Sequence, residues 1–361
     1  MTAPVHETLG DLGERRIFTE ILRPRYHKVR AFGDDCATLN GDLVVTTDSC
    51  STALVEEIEI GDASDTGWLL VTMNLSDLAA AGARPEGLVV NYTLPPHTAG
   101  ARLRALMDGV DACAKRHGTK VVGGDLRDSN ELLLTATAIG RRPRRSREQS
   151  RSRGPLGRQG ARAGDRLLVV GSPGYLWGAA LLKIGWAVLP AGLTNQVYDR
   201  ARRPMAQLRG GRVLAASGLA HAAMDVSDGL YSSVRTLCET NGLGAVMRDR
   251  IKLDDVLAEI CNQSKISTFQ LGQTWGDWPL LIAVAPADVI KAERILKAAR
   301  VPVREVGRLV ADPDALLVEH GDGRTSNWVG LDQERFSTSS WHTRSDAVES
   351  QLIRMRELSK G

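Results

Sequence analysis

The sequence predicts an α/β protein of the α+β kind, built as two domains with mixed sheets flanked by helices. Three observations predict it. The chain has 361 residues, 43% apolar and 25% charged, enough for two cores of ordinary size. Strand-like and helix-like segments are intermixed along its whole length. A polar stretch at 141–160 divides them, giving an N-terminal domain over 1–140, a linker, and a C-terminal domain over 161–345.

In order, DLVVTTDS (42–49) reads as a strand ending in Asp48. In VTMNLSDLAAAGARP (71–85), Val71, Leu75, Leu78 and Ala79 repeat at helical spacing, and Gly82 and Pro85 end the pattern. Asn74, Ser76 and Asp77 then fall near the start of a buried helix, where a carboxylate is costly unless something positive meets it. GLVVNYTLP (87–95) is a strand, and ARLRALMDGVDACAKRHG is a helix closed by Gly118. KVVGGDLRD reads as a short strand running into a glycine turn, and LLLTATAIG (132–140) as another strand. Past the linker, GDRLLVVGSPGYLWGAALL and HAAMDVSDGLYSSVRTLCETNG each read as strand, glycine turn, helix. WPLLIAVAP (278–286) is a strand, and ADVIKAERILKAARVPV is a helix with a strand after it.

Charge and composition exclude several classes. The net charge of +3 is too small to argue for nucleic acid. RRPRRSREQSRSR (141–153) holds seven arginines and one glutamate but no interleaved aromatics, and reads as a solvated, mobile surface loop. No run approaches the roughly 20 apolar residues of a membrane span, and MTAPVHETLGDLGERR carries no apolar signal-peptide core. Five cysteines without CxxC pairing fit a cytoplasmic protein and argue against structural zinc. Cys36 and Cys50 stand near acidic motifs, although their ordinary role is as small buried residues.

The chemistry lies in aspartates at strand ends and glycine turns: Asp34 and Asp35 in FGDDCA, Asp48 after Thr46 and Thr47 in TTD, Asp77 in NLSD, Asp125 in GGD, and Asp225 and Asp228 in MDVSDG. Singly, each motif reads as a turn or a helix cap. Together they offer hard oxygen ligands suited to Mg²⁺, which takes only one or two carboxylates beside phosphate oxygens. So many carboxylates imply several ions, and several ions imply a polyphosphate. No GxxxxGK[ST] loop, kinase motif set or GxGxxG is present. Phosphates would be held mainly through metal, with Arg158, Arg162 or Lys120 as basic help and Arg158 the preferred one.

Read in order, GDDCA, LVVTTD, VTMNLSDLAAAGARP, VVGGD, GRQGARAGD, VVGSPG and AMDVSDGL resemble thiamine-monophosphate kinase from about residue 30 to 310. That family shares its fold with aminoimidazole ribonucleotide synthetase and selenophosphate synthetase. The resemblance implies two α/β domains, a homodimer formed through the first domain's sheet, and ATP in a cleft with several Mg²⁺ ions. It implies metal ligation by Asp35, Thr46, Thr47, Asp48, Asp77, Asp125, Asp225 and Asp228, and nucleotide contacts from Thr47, Gly124, Asp125, Arg158 and Ser227. The chain departs from the family on the acceptor side. The family's histidine in a GxHF-like turn is replaced near Val55, and the glutamate of GGEDYELLF by Gly276 in QTWGDWPLLIAV. The GYDHF-like ending is unrecognisable in GLDQERFSTSSW.

These residues give the expectation of ATP-dependent phosphoryl transfer to a small-molecule acceptor in a diverged pocket. Trp275 and Trp278 would stack on the acceptor, and Asp225 or Asp277, with Arg158, would serve catalysis. The competing readings are authentic thiamine-monophosphate kinase, an amide-activating ligase, cyclase or dehydratase, and a non-catalytic ATP-binding protein.

Overall fold

A computed structural model describes residues 7–29, 32–39, 41–143, 156–331, 336 and 347–360. The strands are β1 (Ala37–Thr38), β2 (Leu43–Cys50), β3 (Arg84–Leu94), β4 (Val121–Asp128), β5 (Leu133–Arg141), β6 (Arg166–Val170), β7 (Ala220–Asp225), β8 (Gly244–Arg248), β9 (Leu280–Val284), β10 (Val303–Val310), β11 (Leu316–Glu319) and β12 (Thr325–Asn327). The helices are α1 (Leu9–Arg16), α2 (Arg23–Tyr26), α3 (Leu54–Glu57), α4 (Ala63–Ala80), α5 (Gly100–Arg116), α6 (Tyr175–Lys183), α7 (Ala191–Arg202), α8 (Leu208–Ser217), α9 (Leu230–Asn241), α10 (Asp255–Ser264), α11 (Thr268–Gly272), α12 (Val289–Ala298) and α13 (Ala347–Leu358).

Two mixed sheets organise the chain. The first runs β1-β2-β5-β3-β4, antiparallel except for the parallel β3–β4 pair. The second runs β12-β11-β8-β10-β6-β9-β7, antiparallel except for β11–β8. The second sheet's strands β6, β7 and β9 are buried almost throughout.

Helix α4 joins the two halves. It packs on α5 and on β2 and β5 of the first sheet, and also on α8 and β7 from the second half. Sixteen of its eighteen residues are buried, and its apolar residues surround it instead of forming a stripe, the pattern of a helix enclosed on all sides. It starts earlier than the periodicity over 71–85 suggests. Asp62 caps it, accepting from the Ser64 N–H at 2.8 Å, and Asp65 reaches back to the Asp62 N–H at 3.1 Å. Asp77 therefore lies near the C-terminal end of α4, not at its start. A second correction concerns GGD, which is no turn: Gly123 and Gly124 lie inside the eight-residue edge strand β4, paired with Val89 and Val90.

The arginine-rich loop is corrected at its first two residues, and its stretch from 144 lies outside the described residues. Arg141 ends β5 and pairs with Glu86 and Asp42. Arg142 is buried, donating to the Thr38 hydroxyl at 2.7 Å and the Ala81 carbonyl at 3.3 Å.

The N-terminal end of α4 is tied to α7 by charge. Fully buried Asp65 accepts from Arg202 Nε at 2.7 Å and Arg203 Nε at 3.2 Å. Beside it, the Pro204 carbonyl accepts from Trp68 Nε1 at 2.8 Å and the Thr72 hydroxyl at 3.0 Å. Asp65→Ala removes a capping partner and both ion pairs together. It is expected to lower the unfolding free energy by about 2 kcal/mol, the arginines being partly hydrated, as read from urea denaturation.

Candidate active site

The second half of α4 brings one carboxylate to the seam, and two other elements bring theirs. Asp35 comes from the Gly33–Cys36 turn before β1, Asp77 from α4, and Asp225 from the last position of β7. Ligand oxygens of these three buried residues lie within 4.8 Å of one another. Burial is the main force pushing all three carboxyls upward: Asp35 to about 6, Asp77 and Asp225 well above the ordinary range. Their mutual repulsion adds to this, and Asp48 presses on both Asp77 and Asp225. The Thr46 hydroxyl donates to Asp77 Oδ2 at 2.5 Å. Asn74, one turn before Asp77, accepts the Asp48 N–H at 3.1 Å, which fixes β2 against α4.

One cation faces the cluster. Arg158 donates from Nε and Nη2 to Asp35 Oδ1, from Nη1 to the Gly33 carbonyl at 2.9 Å, and from its backbone N–H to Asp34 Oδ1 at 3.1 Å. Burial works against the guanidinium charge, but Asp35 and Asp225 outweigh it and keep Arg158 protonated. Among the described residues, the other oxygen of Asp35, Oδ2, is buried and lacks a hydrogen-bond partner. An orphaned carboxylate oxygen among converging acids fits a hard divalent cation such as Mg²⁺. Asp228 borders the cluster and raises Asp225 further, and the Ser227 hydroxyl donates to Asp228 at 3.4 Å. Cys36 lies beside Asp77 and Asp35, and its thiol is driven upward, mostly by burial.

Other expected residues are placed elsewhere. Thr47 points to the opposite face of β2 from Thr46, with its hydroxyl donating to the Ala136 carbonyl at 3.0 Å, because side chains alternate along a strand. Gly124 and Asp125 lie on exposed β4, separated from β2 by β5 and β3, about 14 Å at ordinary strand spacing. Asp277 does not face the cluster. Its carboxylate accepts from the Gly174 and Leu176 N–H groups at 2.6 and 3.1 Å, at the start of α6. Burial lifts it to about 7 against those N–H donors.

Trp275 and Trp278 line an apolar cavity of about 40 Å³ with Leu54, Val55, Leu176 and Arg202. Their loop lies against the Asp225–Leu230 turn. The Val226 N–H donates to the Pro279 carbonyl and the Leu230 N–H to the Gln273 carbonyl, both at 2.9 Å. Arg142, read from the sequence as part of a surface loop, and Asn241, which no motif singled out, flank the carboxylate cluster through Cys36 and Arg158. The first follows a strand and the second precedes a glycine at a helix end, positions that ordinarily signal nothing beyond packing and capping.

Known proteins match this chain over most of its length. The families described as AIR synthase related protein, N-terminal domain, and AIR synthase related protein, C-terminal domain, match residues 33–142 and 162–318. Thiamine-monophosphate kinase of Mycobacterium tuberculosis is 30% identical over 332 residues, 90% of this chain and 91% of that protein. The chain belongs to the thiamine-monophosphate kinase family. It is therefore an ATP-dependent kinase of the transferase class, using ATP with Mg²⁺. The Halobacterium salinarum family member is 32% identical over 82% of this chain and 94% of its own. The solved structure "AaThiL complexed with AMPPCP and TMP" covers 92% of this chain and 100% of its own, with a TM-score of 0.73 at 21% identity, and shows that the fold is shared.

The raised carboxyls make the site pH-dependent. Asp35 titrates near 6 when folded, against about 3.9 unfolded. Between those values the folded chain holds a proton that the unfolded chain has released, so metal-free stability falls as pH rises through that window. Mg²⁺ needs ionised oxygens and should bind more tightly over the same rise, releasing protons. Melting curves from pH 4.5 to 7.5, with and without Mg²⁺, should diverge as pH increases, and calorimetry in two buffers should register the protons.

Proposed function

We propose that this family member transfers the γ-phosphoryl group of ATP to an oxygen of a small molecule whose body lies beside Trp275 and Trp278. The converging Asp35, Asp77 and Asp225, with the orphaned Asp35 oxygen, carry the proposal. These carboxylates, with Asp48 and Asp228 at the border, would hold Mg²⁺. Bound there, Mg²⁺ would supply the positive charge that offsets charge developing on the transferred group. Arg158 presents a fixed guanidinium to the phosphates, and Thr46 orients Asp77. Catalysis would rest on positioning, so no dedicated nucleophile is required.

The acceptor side supports a diverged pocket. Val55 and Gly276, standing near where the family resemblance puts a histidine and a glutamate, line the same cavity. A Cβ on Gly276 would sit 2.1 Å from Leu176 Cδ2, and its φ is +103°, so no side chain is accommodated there. Trp278 holds φ at +55°, a strained conformation for a bulky residue, which supports a functional role at this position. Authentic thiamine-monophosphate kinase activity is the second reading, favoured by the identity of about 30% over most of the chain and by the relative described with AMPPCP and TMP.

We also read the chain as a cytoplasmic homodimer, with domains over 1–140 and 161–345 meeting at the carboxylate seam. Among the described residues no helix is long and apolar enough to cross a membrane. Val89, Val122 and Leu133 expose apolar side chains on one face of the first sheet, a patch suited to a second copy. Such a copy would also explain why Asp125 stands so far from its own chain's cluster.

Three experiments test these readings. Asp225→Asn should lower Mg²⁺-dependent ATP turnover at least about a hundredfold while the fold persists. Assayed with thiamine phosphate, the wild type should form thiamine diphosphate poorly or not at all, and efficient formation would establish the second reading. For the dimer, mixing inactive Asp125→Asn and Asp225→Asn chains should restore about a quarter of wild-type turnover, because half the dimers regain one intact site of two. No recovery in a mixture shown by sedimentation to exchange subunits would count against it.

A further inference from the structure

Arg158 lies on a short strap leading into the second sheet, and two side chains hold the strap's backbone: Asp34 takes the Arg158 N–H, and Asn241 takes the rest. The Asn241 amide ends α9. Its Oδ1 accepts from the Gly160 N–H at 2.9 Å and the Ala161 N–H at 3.1 Å. Its Nδ2 donates to the Arg158 carbonyl at 2.9 Å and to its own helix, at the Leu237 carbonyl, at 2.8 Å. Both donors and both acceptor sites of the amide are used. A serine or alanine at this position makes at most one or two of these contacts.

The rest of the strap leaves little freedom. The Gly157 carbonyl accepts from the Ala223 N–H at 2.8 Å, next to the metal-site strand end. A Cβ on Gly157 would stand 2.2 Å from Asp34 Oδ2, so only glycine passes under the Gly33–Asp35 turn. Helix α9 starts just after Asp228, at the other border of the carboxylate cluster. The helix therefore ties the Asp228 turn, at its first residue, to the Arg158 strap, at its last.

We propose that Asn241 is the positioning residue of this kinase's phosphate arginine. It acts through Arg158, fixing the height at which the guanidinium meets Asp35 and the incoming phosphates. It touches neither nucleotide nor metal. The proposal rests on the assignment of Arg158 to the ATP site.

A double-mutant cycle tests it with Asn241→Ala, Asn241→Asp, Arg158→Ala and both double variants. Wild-type turnover comes first, since its absence would sink the functional reading before Asn241 is at issue. Asn241→Ala should raise KM for ATP about tenfold, the usual effect of losing a supporting partner, with kcat changed much less. In the Arg158→Ala background the same substitution should leave KM within twofold. Asn241→Asp has the same shape and keeps the acceptors for Gly160 and Ala161, but it turns an oxygen onto the Arg158 carbonyl. It should reproduce the KM effect with a melting temperature close to wild type, which separates positioning from folding should the alanine variant be unstable. A KM within twofold of wild type in Asn241→Asp would overturn the proposal. So would effects of Asn241 and Arg158 that multiply in the double variants.

Discussion

Three buried carboxylates converge on one point, and among the described residues Arg158 answers them. Burying Asp35, Asp77 and Asp225 together costs free energy through lost hydration and mutual repulsion, and a folded chain tolerates this only when compensation is built in. One form of compensation is visible: Arg158 neutralises one oxygen of Asp35, while burial raises the three carboxyls and so favours their protonated forms. The remaining deficit is one that divalent cations would relieve, as the proposed nucleotide site requires.

The architecture serves that convergence. Helix α4 is enclosed by both sheets, so Asp77 is carried to the seam on an element that neither half can move alone. Asp65 anchors its N-terminal end to α7, and Asn74 fixes β2 beside it. Asp225 arrives at the end of a strand, and Asp35 on a turn held by Arg158. The cavity of Trp275 and Trp278 shares the loop that supports the Asp225 turn, so the cavity and the carboxylate cluster are mechanically continuous. Asp277 gives the same continuity another role, capping α6 from a hundred residues away in sequence.

Much of this was readable from the residues. Strand periodicity located β2, β3, β5, β6, β7 and β9 to within a few positions, since alternation and apolar runs are local properties. The start of α4 was missed because its cap, Asp62 with Asp65, precedes the apolar run by several residues. The GGD segment was misread because glycine pairs usually break strands, whereas here they lie on a sheet edge. Arg142 looked like part of a solvated run and is instead buried.

The order of the acidic motifs, the absence of a phosphate loop and the altered acceptor residues were fixed by sequence alone, because residue type and spacing decide what chemistry is on offer. Which of those residues meet was decided only in three dimensions. Asp35, Asp77 and Asp225 come together, while Thr47 turns to the far face of β2 and Asp125 stands across two strands. Strand order and the enclosure of α4 set those distances, and both arise from contacts between segments far apart in the chain.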